Sequence, residues 1–155
     1  MNIISQMVEV HLFRIVQGEM EFLLLKRGEK EIYPGLWQMV SGRIEKDEKA
    51  YQTALREIKE ETGLDVLHLW AVPNVNSFYS ASSDELNFIP VFAAWVNSNA
   101  KVVISEEHSE FKWCLYEECR NLLVWEGQKK SVDILRDYYL NRKNDLDLVE
   151  ITDLK

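Results

Sequence analysis

The chain has 155 residues, of which 46% are hydrophobic and 28% charged, a composition that fits a single globular domain over 1–155 and excludes a disordered or fibrous chain. Its formal net charge of −8 excludes duplex DNA or RNA as the main partner, because such affinity comes from cations laid against phosphates. A small phosphorylated substrate is still admitted, provided that something positive, such as a divalent cation, is recruited locally.

Val, Ile, Leu and Phe crowd residues 7–16 and predict a strand. Gln17-Gly18-Glu19 reads as a turn, and residues 21–26 pair back as the second strand of a hairpin. Residues 27–35 form a polar loop ending in Tyr33-Pro34-Gly35, and 36–40 a short strand entering Ser41-Gly42. Asp47 is the expected N-cap of a helix over 50–62. Ala50, Ala54 and Ile58, with Leu55 beside them, give that helix one apolar stripe, and Gly63 ends it.

Residues 64–72 lean towards strand, and 74–87, rich in Ser, Asn and Asp, predict a long loop or an interrupted strand. Residues 88–96 predict a firm strand, 101–104 a weaker one and 112–115 a short one. Helices follow over 116–123 and 128–141, and the tail after 144 is expected to fray. No internal repeat or linker interrupts the chain. Strands around one strong helix, with two more helices late, define an α/β fold with a mixed sheet covered on both faces.

Cys114 and Cys119 have no His or third Cys near them, which makes a poor zinc site and points to structural thiols in a reduced, intracellular protein. The first residues lack the basic flank and apolar block of a signal peptide, and no apolar run is long enough to cross a bilayer. The cytoplasm, with no membrane partner, is the expected location.

The chemistry is concentrated between Gly42 and Leu64. Glu57, Glu60 and Glu61 stand three and four residues apart and share one helix face. Three such carboxylates repel one another, at about 0.2–0.5 kcal/mol per exposed pair. Mg²⁺ or Mn²⁺ removes the conflict, since hard cations take oxygen ligands. Taken alone, the three glutamates would be an ordinary solvated face; their surroundings decide otherwise. Gly42 is followed after five residues by Glu48, and after seven more by Arg56-Glu57-Ile58-Lys59-Glu60-Glu61-Thr62-Gly63-Leu64. This spacing resembles the signature of the Nudix hydrolases without a departure.

The resemblance implies a Nudix-type α/β/α sandwich with a mixed β-sheet and a Mg²⁺-dependent phosphoanhydride hydrolase acting on a nucleotide-like diphosphate. It implies that Glu57, Glu60 and Glu61 bind metal, with the Gly42 carbonyl as a further ligand, and that Arg56 and Glu48 form a supporting pair. The general base is then Glu57, or Glu107 in Ser105-Glu106-Glu107-His108 ahead of a short strand. Lys26 and Arg27 are candidates for phosphate, and Trp37, Gln38, Phe78, Tyr79 and Trp125 for the rest of the substrate. For each aromatic residue, burial in the core is the competing reading. His108 reads as structural.

Tyr79 falls at the edge of the window in which dinucleoside polyphosphate hydrolases of that family carry a Tyr. The segment from Val91 to Trp125, with Gln128 after it, is similar to nucleoside triphosphate and dihydroneopterin triphosphate pyrophosphatases. A nucleoside triphosphate (dATP-like) or dihydroneopterin triphosphate is therefore the favoured substrate, and a dinucleoside polyphosphate the alternative. A non-catalytic nucleotide-binding regulatory module is disfavoured because every carboxylate of the signature is present. A prenyl diphosphate isomerase is disfavoured because both cysteines lie late in the chain. The chain is expected to act as a monomer or homodimer.

Overall fold

The computed structural model describes residues 1–154. β2 (Met7–Val16) and β3 (Glu19–Arg27) form the expected hairpin. Gln17 and Gly18 take positive φ (51° and 81°) in its tight turn, the geometry whose twist matches the flanking strands. The hairpin opens beyond the Phe13–Phe22 pair. β5 (Val40–Arg43) then pairs with the first half of β2, and β4 (Trp37–Gln38) with the end of β3. That fork brings Gly42, Gln38 and Arg27 into one region.

β7 (Glu85–Val96) runs parallel to β2 and also to β1 (Asn2–Ile4), while β6 (Val66–Ser80) lies antiparallel to β7 and β8 (His108–Cys114) antiparallel to β3. The result is a mixed sheet, ordered β1-β7-β2-β3-β4 with β5, β6 and β8 alongside. Strand alternation sends successive side chains to opposite faces. Val8, Val10, Leu12, Leu23, Leu25 and Phe92 pack against Ala54 and Ile58 of α1 (Ala50–Thr62). On the other face Phe13, Phe22, Leu24 and Trp70 pack against Cys119 of α2 (Tyr116–Leu122) and Val132 and Leu135 of α3 (Glu126–Asn141). Each Val, Leu, Ile or Phe among them contributes roughly 1.5–3 kcal/mol by its burial.

Of the two readings of 74–87, the structure bears out the interrupted strand: residues 74–80 and 85–87 are strand, and β6 and β7 form one long hairpin closed at 81–84. Several local expectations differ from the structure. Residues 101–104 pair with no strand; Val102 and Ile104 pack on the α1 side, and Val103 N–H donates to the Thr62 carbonyl. Asp47 does not cap α1: it takes φ 65°, and Lys49 is the N-cap, its N–H donating to Gln52 Oε1 at 2.9 Å. β8 begins at His108, four residues earlier than expected.

The tail is built in rather than frayed. α4 (Lys143–Leu146) buries Leu146, a short 3₁₀ turn follows, Glu150 bridges Trp70, and Ile151 N–H donates to the Leu69 carbonyl at 2.8 Å. Cys114 and Cys119 are free and fully buried, and burial pushes their thiols up to about 11 and about 12, as befits structural cysteines. No helix is long and apolar enough to cross a membrane, among the described residues.

Candidate active site

α1 buries Thr53, Ala54 and Ile58 against the sheet, which turns Glu57 and Glu61 towards β5 and leaves Glu60 exposed beside them. Gly63 ends the helix at φ 70°, its N–H returning to the Lys59 carbonyl. Spacing on the helix thus fixes which carboxylates share a side.

Arg56 organises them. Its Nε and Nη2 donate to both oxygens of Glu48, at 2.9 and 3.1 Å, and Nη2 also reaches the Arg43 carbonyl at 2.9 Å. Nη1 donates to Glu57 at 2.8 Å and to Glu60 at 3.3 Å. Fork-shaped guanidinium geometry is what allows one side chain to hold a bidentate pair and two further carboxylates. The Arg56 bonds, with Thr53 Oγ1 donating alongside them, hold Glu48 down to about 2, while Arg56 itself is raised, chiefly by Glu48.

Glu57 lies against Gly42, where there is no room for a side chain: a Cβ there would sit 2.2 Å from the Glu57 carboxyl carbon. Desolvation raises the Glu57 pKa, and Arg56 opposes it. Glu61 is more extreme. It is 4% exposed, its Oε2 has no partner, and burial, then Glu57 and Glu107, push it up to about 9. The Ser41 backbone and Arg27 act the other way.

Glu107 therefore lies near both carboxylates. The β3–β8 pairing shifts register between Lys26 and Arg27, and Gly28 N–H then donates to the Glu107 carbonyl at 2.9 Å. His108, next in the chain, is buried with Nδ1 unpartnered, and burial, then Arg27, lowers its pKa.

Arg27 donates from Nε to the Ile32 carbonyl and from Nη1 to Gln38 Oε1 at 3.3 Å, and pairs with Glu31. Arg27 and Gln38 are thus joined beside the carboxylates. Lys26 pairs with Glu110 and sits 5.9 Å over the half-buried ring of Trp37. Lys26, Arg27, Pro34, Gly35 and Ser109 line an open pocket at this end of β3. Trp125, half-exposed at the start of α3, meets Tyr33 edge-on at 6.0 Å.

Tyr79 is not brought to the carboxylates: its hydroxyl donates to Asp84 and closes the β6–β7 turn. Phe78 is exposed on the same outer strand. Sequence reasoning missed Thr53, the Ser41 backbone and the Arg43 carbonyl, which support Glu48, Glu61 and Arg56. Only the fold could reveal the two backbone groups, whereas Thr53 could have been found from its place one helical turn before Arg56 and Glu57.

The donor set suits a hard cation. Every candidate ligand is an oxygen, and the unpartnered Glu61 Oε2 is a buried acceptor awaiting a positive partner. Among the described residues no group of three Asp, Glu, His or Cys side chains stands close enough together to hold an ion by itself. An ion that keeps waters and substrate oxygens in its shell fits so open an arrangement.

These features meet a family. The model of the NUDIX domain matches residues 6–137, and the chain belongs to that family. It is a Nudix hydrolase. It is 27% identical over 115 residues to the nucleoside triphosphatase NudI of Klebsiella pneumoniae, covering 69% of this chain and 82% of that protein. It is 29% identical over 109 residues to the asymmetrical bis(5'-nucleosyl)-tetraphosphatase of Caenorhabditis elegans, covering 69% of this chain and 76% of that one. A crystal structure from Listeria monocytogenes, described as a NUDIX hydrolase, matches at TM-score 0.74 and 29% identity, covering 90% of this chain and 95% of that one. The mixed-sheet sandwich expected from the sequence is the fold of this family.

Proposed function

We propose that this hydrolase is a Mg²⁺-dependent pyrophosphohydrolase of nucleoside triphosphates, with dATP-like compounds or dihydroneopterin triphosphate favoured. The observation that carries the reading is Glu61: a buried carboxyl with an unpartnered oxygen, set beside Glu57 and Glu107.

Glu57, Glu60, Glu61 and the Gly42 carbonyl would hold the divalent cation, Mg²⁺ or Mn²⁺. When bound, the cation neutralises phosphate charge and acidifies water. Arg56, tied to Glu48, fixes the orientation of Glu57 and Glu60. Glu57 or Glu107 accepts the proton of the attacking water. Arg27 offers its guanidinium to phosphate oxygens, and exchanges its loop partner for them as substrate enters. Trp37, Gln38 and Trp125 border the rest of the substrate, Trp125 by stacking on a base. Tyr79 is left out of this set because its hydroxyl is committed to Asp84.

A dinucleoside polyphosphate is the second reading, favoured by the likeness to the nematode tetraphosphatase. The test measures pyrophosphate and phosphate release with and without Mg²⁺. Its panel holds dATP, other nucleoside triphosphates, dihydroneopterin triphosphate, diadenosine polyphosphates and ADP-ribose. Magnesium-dependent pyrophosphate release from a triphosphate supports the first reading, and preferential cleavage of a diadenosine polyphosphate replaces it with the second. Absence of turnover with intact metal binding would move the weight to a nucleotide-binding module.

A further inference from the structure

We propose that the outer half of β6, residues 75–80, is the interface of a homodimer in which two copies pair this strand antiparallel about a two-fold axis at Ser77.

β6 is an edge of the sheet. Its inner side pairs with β7 throughout residues 75–80, in unbroken register from Val75–Pro90 to Ser80–Glu85. Its outer side is covered only near Leu69 and Trp70, where the tail lies along it. From Val75 onward no backbone group of another segment pairs with the outer side, among the described residues; Ser77 N–H donates to Asn76 Oδ1 at 3.0 Å, a bond within the strand that pairing would exchange. The irregular stretch between Ala71 and Val75, with Pro73 inside it, guards the inner half of the strand and leaves the outer half regular. An open, regular edge is a template for another strand.

Natural edges are normally guarded by charge, and this one is not. From Val66 to Ser83 there is no Asp, Glu, Lys or Arg, in a chain that is 28% charged overall. That absence selects the partner. Two copies that each carry −8 repel wherever their acidic surfaces approach, and meet at least cost where both are neutral. A basic partner would be drawn to the acidic surface instead, so a neutral, self-complementary strand fits a second copy of itself.

The side chains agree. Cross-strand register places Val75, Ser77 and Tyr79 on the same face as Phe88, Leu86 and Ile3. Val75, Tyr79, Phe88 and Ile3 are 59%, 55%, 38% and 67% exposed, which makes an apolar strip beside the free edge. Antiparallel pairing centred on Ser77 sets Val75 opposite Tyr79 of the second copy, and Asn76 opposite Phe78, each twice by symmetry. The two apolar strips then join into one surface across a continuous sheet.

The experiment is sedimentation velocity on the full chain across a wide concentration range, with two variants at the axis. The native chain should run at twice the monomer mass. Ser77→Lys, which sets like charges against each other at the axis, should run as a folded monomer whose melting temperature, unlike that of the native chain, does not rise with protein concentration, since Ser77 is exposed. Ser77→Cys under mild oxidation should give a disulfide-linked dimer, the native cysteines being buried. A native chain that is monomeric throughout overturns the proposal. So does a dimer that persists in Ser77→Lys and fails to cross-link through Ser77→Cys, because it must use another face. Capture of an extended peptide by a monomeric native chain would give the edge a different occupant and overturn it as well.

Discussion

Gly42 and Glu57 meet where a side chain at 42 would lie 2.2 Å from the Glu57 carboxyl carbon. Strand β5 and helix α1 touch there only because one partner has no Cβ. Gly42→Ala is expected to displace Glu57, to cost about 1–3 kcal/mol of stability and to lower Mg²⁺-dependent turnover about 10-fold or more. Thermal melts and a Mg²⁺ titration of activity check this. Native values for both would show that the strand moves aside freely.

Glu61→Gln removes the buried acceptor. Turnover is expected to fall about 100-fold or more, since a cation stabilises transition-state charge by several kcal/mol. The metal-free protein should melt higher than the native chain at neutral pH. A turnover rate near native would reassign the site.

Glu61 also predicts a pH dependence. Its folded pKa is about 9 against an ordinary 4.5, so the folded chain holds a proton that the unfolded chain releases. The stability from this group is complete below pH 4.5 and is lost as pH rises through about 9. Glu9 and Glu57, also raised by burial, act in the same sense. Glu48 acts oppositely, losing its contribution as pH falls from 4.5 towards about 2. Metal-free melting temperatures should therefore decline from mildly acidic to alkaline pH, with a shallower decline in Glu61→Gln.

Binding of Mg²⁺ at neutral pH should release protons, because the ionised carboxylate is the ligand. A pH-stat in weak buffer reads this directly. Equal release from the native chain and Glu61→Gln would place the proton elsewhere.

Arg56→Lys keeps the charge and loses the fork that holds Glu48, Glu57 and Glu60 together. A loss of about 10–100-fold in turnover is expected, measured at saturating Mg²⁺. Adding Glu48→Gln should cost little more, because the two residues act as one unit.

The parts of this molecule that were legible in the sequence are those ruled by spacing. Carboxylates on one helix face, the arginine before them and Gly63 at the helix end follow from helix geometry, whereas the approach of Gly42 and Glu48 to that helix was implied only by the resemblance. The β6–β7 hairpin was legible only as one of two readings, because Asn74, Asn76, Ser77 and Ser80 have the composition of a loop and pairing with β7 makes them strand. Residues 101–104 erred in the opposite direction. Their apolar side chains serve the α1 face without a ladder, which local propensity does not distinguish from a strand. The Ser41 backbone acts through a contact that becomes visible once α1 is laid on the sheet.

The tail was misjudged because its alternation of Leu with Asp suggested no docking face. Leu146, 4% exposed, packs with Trp70 and Leu135 in the core. Leu146→Ala is expected to cost about 2–5 kcal/mol, read from urea unfolding. An effect below about 0.5 kcal/mol, typical of surface positions, would mean that the tail is loosely held.

The Arg56 junction has a consequence for how such an enzyme can change. The residues that hold it, Arg43, Glu48, Glu57 and Glu60, lie in one short stretch of chain, whereas Arg27 arrives from the end of β3, Glu107 from the segment before β8 and Trp125 from the start of α3. The Arg56 junction is thus a self-contained cassette, and the remaining candidate residues are fitted around it. Loops such as 28–36 and 97–107 can lengthen, shorten or swap side chains while the cassette keeps its geometry. Changes in those loops can thus alter what lies around the cassette without disturbing the Arg56 junction.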